Sequence, residues 1–224
     1  MIKEILDVFR NDSLMERAYN RSFEMLHLTQ EMFLEAKNVL RETDENNLDI
    51  DIDDQDSEVN KYQRDVRKDV FTHLALGGNE ELASGLALVS IVIDIERIGD
   101  YTKNIASIAK NYKQKLHGGV FEERIVKLED AVEDSFKRAI AIFEKSDEEA
   151  GRELIKEYKW VSKEADDMID SLIREEDPNF TSGCAASLTM YLRSLKRTHS
   201  HLRNVVTSVV NPFHRIGFKP KKKK

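Results

Sequence analysis

Residues 82–106 read LASGLALVSIVIDIERIGDYTKNIA, and the character of this stretch changes part-way along. From Leu82 to Ile98, apolar side chains would occupy most of a helix's circumference. The segment therefore predicts a long helix, from Asn79 to about Leu116, that is the most buried of the chain. Into these surroundings the sequence sets Glu96 and Asp100, four residues apart and so on one face of the helix. Two like charges at that spacing repel. Keeping both ionised inside a buried helix costs on the order of several kcal/mol unless a cation, a guanidinium or a proton compensates them. One reading is a metal ion, because carboxylate oxygens suit iron, manganese, magnesium or zinc, and helical bundles gather such ligands from facing helices. The other is a solvated face on which Glu96 pairs with Arg97, Lys103 or a neighbouring helix. Gly99, between the two acids, costs up to about 1 kcal/mol relative to Ala in a helix interior and predicts close packing at that point.

Helical signals continue outward on both sides. Upstream, Met15, Tyr19, Ser22, Leu26, Thr29, Phe33, Ala36 and Leu40 alternate steps of four and three along one seam, opened by a Ser13/Glu16 capping box. An acidic connection is expected from Asp44 to Glu58. A second helix follows from about Asp56 through Val59, Tyr62, Val66, Val70 and Leu74, ending at Gly77 and Gly78. Downstream, Gly118 and Gly119 close the third helix, and Phe121 to Ile142 repeats the four-three stepping. Ser146 and Glu149 suggest another capping box before a fifth helix through Leu154, Tyr158, Val161, Ala165, Met168 and Leu172. Pro178 and Gly183 break it, and a sixth helix carries Leu188, Leu192, Leu195, His199, Leu202, Val206 and Val209. An offset of 100 maps Leu88, Val92 and Ile95 onto Leu188, Leu192 and Leu195, and Arg97 and Asn104 onto Arg197 and Asn204. Three helices thus occur twice, which predicts an all-α protein of two tandem three-helix bundles.

Composition agrees with this. The 224 residues carry 35 Lys and Arg against 42 Asp and Glu, a net charge of −7, and 40% hydrophobic residues are enough for a folded core. With 34% charged residues but only 3 Pro and 9 Gly, long helices are favoured over turn-rich β architectures. No apolar window approaches the length of about 18 residues needed to span a bilayer, and the charged stretch Met1 to Arg10 does not resemble a secretory signal, so a cytoplasmic protein is expected. The single Cys184 excludes an internal disulfide framework and a four-thiolate zinc site.

The run DIERIGDYTKNIA, Asp94 to Ala106, resembles the signature of the PhoU family, whose helical repeats carry E-x-x-x-D or D-x-x-x-D within a segment like ERIGDhxxNIA. Glu96 and Asp100 fill the acidic positions, Arg97, Ile98 and Gly99 the middle, and Asn104, Ile105 and Ala106 the tail. The run DSEVNKYQRDVRKDVFTHLAL is similar to that family's second helix. The resemblance implies a first repeat over residues 1–118, a second over 119–213 and a basic tail over 214–224. It also implies multinuclear iron or zinc sites on the acidic motifs and a role in regulating phosphate uptake. Such a regulator would contact a phosphate transporter and, in bacteria, a sensor kinase, commonly as a dimer.

The second repeat departs from this pattern. Lys196 and Ser200 stand where Glu96 and Asp100 would recur, and a lysine repels a bound cation, so at most one family-like metal site per chain is expected. His199 continues the apolar seam and is expected to be packed or hydrogen-bonded, while His201, about 200° around the helix from it, is expected at the surface. Asp65, Asp69 and His73 share a face of the second helix. They either converge on Glu96 and Asp100 as further ligands or form a solvated stripe beside Arg64, Arg67 and Lys68. Asp166 and Asp170 are expected at the surface. Asp49, Asp51 and Asp53 alternate as in a calcium loop, but Asp54 replaces the required glycine and Asn60 the required glutamate, so an extended acidic linker is the simpler reading.

Lys219 and Lys221 to Lys224 form a basic tail of a kind that is drawn to anionic lipid or nucleic acid or that merely aids solubility; with no nucleic-acid module beside it, direct DNA binding is not expected. No nucleophile elbow or phosphate-binding glycine motif occurs, so catalysis is not expected either. The sequence therefore predicts a non-catalytic regulator of phosphate uptake. A metal-binding structural companion of a membrane transporter is the alternative, and a carboxylate-bridged metalloenzyme a weaker one.

Overall fold

The computed structural model describes residues 11–44, 48–77 and 79–220. Within them the chain forms seven α-helices and three short 3-10 turns. The helices are α1 (Asn11–Glu42), α2 (Ile52–Ala75), α3 (Leu82–Asn111), α4 (Glu122–Lys145), α5 (Glu148–Glu157), α6 (Val161–Ile173) and α7 (Ser182–Val210). Helices α1, α2 and α3 pack on one another, and α4, α5 and α6 each pack on α7. The two groups meet through a long α3–α7 interface and a smaller α1–α4 contact, so a single apolar core runs through both. Phe33 of α1 and Phe136 of α4, with ring centroids 5.2 Å apart, mark where the two groups share it.

The fold matches the expected helices and moves several of their ends. Helix α2 begins at Ile52, four residues earlier than expected, because the Asp51 side chain caps it by accepting from the backbone N–H groups of Asp53 and Asp54 at 3.0 and 3.1 Å. Asp53 and Asp54 then lie in the first turn, where the helix dipole favours negative charge. Much of the acidic run is therefore a helix start, not an extended linker. Ser146 ends α4 in the left-handed conformation, φ 50°, and it is Asp147 that caps α5 by accepting from Glu149 and Ala150. Gly183 lies in the first turn of α7, which Thr181 caps by accepting from the Cys184 N–H at 3.2 Å. Gly78 and the side chain of Ser13, on which two expected helix boundaries rest, lie outside the described residues.

The expected fifth helix is two helices, broken at Tyr158–Trp160. The turn lets two aromatic residues only two positions apart both engage α4. The Tyr158 hydroxyl donates to Asp134 at 2.7 Å, and the Trp160 ring lies under the Lys127 ammonium at 4.7 Å. An unbroken helix would turn these two side chains about 200° apart.

Between the bundles, Gly119 adopts φ +55° with the Phe180 ring against it, and a Cβ there would come within 2.8 Å of that ring. Both the backbone angle and the space call for glycine. Helix α3 is less enclosed than its composition predicts, since Leu82, Leu86 and Ile93 keep an exposed flank. Its buried side, including Leu88, Ile91, Val92, Ile95 and Ile98, is the one clamped between α1, α2 and α7.

A buried polar network ties the two halves together. Arg41 at the end of α1 is 2% exposed and donates to Glu129 of α4 at 2.7 Å, to Glu122 at 2.5 Å and to the Leu116 carbonyl. Tyr191 of α7 donates its hydroxyl to the same Glu129 oxygen at 2.5 Å. Burial pushes the Glu129 carboxyl up, and the Arg41 guanidinium opposes that push.

Candidate functional site

Glu96 and Asp100 stand on α3 where the helix leaves the apolar run. Their side chains are 18% and 38% exposed, so the site lies at the rim of the first bundle, not in its core. Arg97 lies between them, with its Nη1 3.1 Å from Asp100 Oδ2 and its Nε 3.7 Å from Glu96 Oε2. The Glu96 carboxyl is pushed up, first by burial and then by the negative charge of Asp100. Asp56 adds to the push, while Arg97 and Arg67 counter it.

Asp56, on α2, is the third carboxylate of this cluster. It is buried against Gly99, where a Cβ would stand 3.8 Å from Asp56 Oδ1, an ordinary contact distance. Its Oδ2 accepts from Lys103 Nζ at 2.9 Å and from Asn60 Nδ2 at 3.1 Å, whereas Oδ1 is buried with no hydrogen-bond partner. An unpartnered buried carboxylate oxygen is costly and marks a place where a cation would be stabilised. Sequence reasoning passed over Asp56, although a signal was present. It occupies the buried seam of α2 with Ile52, Val59, Val66 and Val70, a position where an acid is out of place.

The other candidates on α2 are held elsewhere. Asp69 is buried and takes a two-pronged contact from Arg17, at 2.8 and 2.5 Å, and a third donor from Arg21 at 2.7 Å. Asp65 lies 3.9 Å from Arg21. His73 is buried and pairs with Glu81. Asp65 and Asp69 thus fasten α2 to α1 and do not join Glu96 and Asp100. The charge pattern of α2 alone could not separate the two outcomes, because both faces carry acids at helical spacing.

At the positions 100 residues further on, a base and a neutral hydroxyl replace the two acids, and both are satisfied. Lys196 Nζ lies 2.6 Å from both carboxylate oxygens of Asp166, and Ser200 donates back to the Lys196 carbonyl at 2.8 Å. Asp170 pairs with Arg174 at 3.6 Å.

His201 differs from expectation. It is buried, with Nδ1 2.7 Å from Asp94 Oδ1 and its ring stacked at 5.8 Å on Tyr101. Asn204 Nδ2 donates to the same Asp94 oxygen at 2.7 Å, and Arg197 Nε donates to the Tyr101 hydroxyl at 3.2 Å. The α3–α7 interface encloses this face of α7, a fact no single-helix pattern carries. The DIERIGDY run therefore has two faces, with Asp94 and Tyr101 gripping α7 while Glu96 and Asp100 face outward. His199 is buried as expected, its ring edge-on to Tyr158 at 6.3 Å.

Among the described residues, no three His, Cys, Asp or Glu side chains converge closely enough to form a ready-made metal site. All three acidic groups are approached by cations of the chain itself, Asp56 by Lys103, and Asp100 and Glu96 by Arg97. The cluster is a concentration of negative charge with an unpartnered oxygen, not a finished coordination shell.

Residues 23–109, which include α2, α3 and all of this cluster, match the family model described as the PhoU domain. Over this stretch the chain is similar to a PhoU domain. The structure of PhoU from Pseudomonas aeruginosa superposes with a TM-score of 0.79 at 21% identity, over 89% of this chain and 96% of that one. The phosphate transport system regulatory protein PhoU from Streptococcus pneumoniae superposes with a TM-score of 0.78 at 15% identity, over 89% and 95%. The PhoU fold thus extends well beyond the matched domain, into the second bundle. A search of curated proteins finds no match.

Proposed function

We propose that this protein is a non-catalytic, cytoplasmic regulator of phosphate uptake that works as a dimer through contacts with a phosphate transporter and a sensor kinase. The observation that carries the reading is the PhoU domain over residues 23–109 within a PhoU fold covering 89% of the chain. Glu96 and Asp100 are the residues through which it takes up a metal ion, iron or zinc as the PhoU resemblance implies, with carboxylate oxygens as the donors. What favours a cation there is three carboxylates set against two basic side chains, Lys103 and Arg97. Asp56 holds an unpartnered oxygen beside Gly99, and the Glu96 carboxyl is pushed up partly by its acidic neighbours. Loading the site requires Arg97 to release Asp100. No helix among the described residues is long and apolar enough to cross a membrane, so the regulator would reach its transporter from outside the bilayer.

The test is phosphate uptake in the source cell with the gene deleted, then restored as wild type or as Glu96→Gln/Asp100→Asn, together with elemental analysis of both purified proteins. Deletion is expected to raise uptake in phosphate-rich medium and the wild type to bring it down. The double variant is expected to stay helical and lose its metal. Uptake that ignores the deletion at every phosphate supply would refute the regulator and leave a structural companion of a transporter. A wild type without metal after reconstitution would refute the metal assignment alone.

A further inference from the structure

Charge in this chain is segregated along its length. Beyond Asp177 no Asp or Glu follows, yet 10 of the 35 Lys and Arg residues lie there, in a protein whose net charge is −7. On α7, Lys196 is engaged by Asp166 and Arg197 by Tyr101. Past α7 they gather with aromatic residues in the run Phe213-His-Arg-Ile-Gly-Phe-Lys, followed by Pro220 and Lys221 to Lys224.

The first part of that run is a built turn. Asn211 Nδ2 donates to the carbonyls of Arg215 at 3.0 Å and Phe218 at 2.8 Å, and the Gly217 N–H donates to Thr207 Oγ1 of α7 at 2.7 Å. Gly217 takes φ +83°, and Arg215 Nη2 donates to the Lys219 carbonyl at 3.0 Å. The turn sorts its apolar residues in an unusual way. Ile216 packs against the core, whereas the larger Phe213 and Phe218 are left 43% and 62% exposed. The Arg215 guanidinium lies over the Phe218 ring at 6.0 Å. Two outward aromatic rings on a fixed turn that leads into a lysine run combine the two ingredients of peripheral attachment to a charged bilayer, interfacial apolar area and positive charge.

We propose that this turn and the lysine run after it dock the protein on an anionic lipid surface, with Phe213 and Phe218 seated among the headgroups. The inference goes beyond the regulator reading, which requires only protein contacts. A bilayer suits this surface better than nucleic acid does, because the exposed Phe213 and Phe218 rings offer apolar area that a lipid interface takes up and a phosphate backbone does not. A nucleic-acid duplex would need unengaged bases spread along a face.

The full chain is tested by co-sedimentation with phosphatidylcholine vesicles, with and without one-third phosphatidylglycerol, at low and high salt. Each basic residue near an anionic surface strengthens partitioning roughly five-fold. Binding is therefore expected to be at least about 100-fold stronger on the anionic vesicles and to collapse in high salt. Phe213→Ala/Phe218→Ala, with helicity verified by circular dichroism, is expected to weaken it about ten-fold, because the two rings supply the apolar area. Replacing Lys219 and Lys221 to Lys224 by Gln is expected to abolish it. Equal affinity for neutral and anionic vesicles, or no affinity for either, would overturn the proposal. So would binding that ignores the phenylalanine pair, or a DNA duplex that binds as tightly as the vesicles and displaces them.

Discussion

His199 converts burial into a measurable dependence of stability on pH. Its imidazole is enclosed in the second bundle, and burial, assisted by the nearby Arg203, pushes its pKa down from 6.5 to about 4. The folded protein therefore holds it neutral where the unfolded chain would protonate it. Its contribution to stability is fully present above about pH 6.5 and is lost as pH falls toward 4. The whole gap corresponds to about 3 kcal/mol, of which about 2 kcal/mol is gone by pH 5. The perturbation is His199→Leu, similar in volume and unable to titrate. Because His199 Nδ1 has no hydrogen-bond partner, its removal strands no polar group on that side, and the variant should lie within about 1 kcal/mol of wild type at neutral pH. Urea unfolding followed by circular dichroism at about pH 7.5 and about pH 5 gives four free energies. Carboxylates that protonate in both proteins contribute equally, so the difference between the two pH dependences belongs to His199. Wild type should lose about 2 kcal/mol more than the variant between the two conditions. PH dependences that agree within about 0.5 kcal/mol would show that the imidazole is solvated in the native state and refute the reasoning.

Two further outcomes follow from buried charge. Arg41→Met leaves Glu129 enclosed beside Tyr191 without its cation and should cost about 3–5 kcal/mol in urea unfolding, whereas Arg41→Met/Glu129→Leu should recover most of that loss. A single variant as stable as wild type would mean that the network carries no net constraint. Asp56→Asn removes one of the two anions raising Glu96, so an NMR titration of the Glu96 carboxyl should move downward toward its ordinary value. An unmoved titration would separate Asp56 from the cluster.

Much of the fold was legible because its signals are local. The four-three stepping and the glycine and acidic punctuation each depend on residues within a few turns of one helix. They were enough to place six long helical segments and to put Glu96 and Asp100 on one face. The resemblance of Asp94 to Ala106 to the PhoU signature was likewise a property of the chain alone, and the domain match over residues 23–109 agrees with it. Local signals failed where backbone and neighbour compete. The fifth helical segment was continuous in its apolar period, yet it breaks at Tyr158–Trp160 because both rings find partners on α4.

The choice between faces belonged to the tertiary structure. Helix α2 carries acids on two sides, and only the packing of three helices turned Asp69 toward Arg17 and Arg21 and Asp56 toward Gly99. His201 became a buried partner of Asp94 because α3 and α7 lie against each other along their length. Helical periodicity states which side chains share a face, since that follows from 3.6 residues per turn. It does not state which faces meet, because that is settled by how the helices together exclude water from the core.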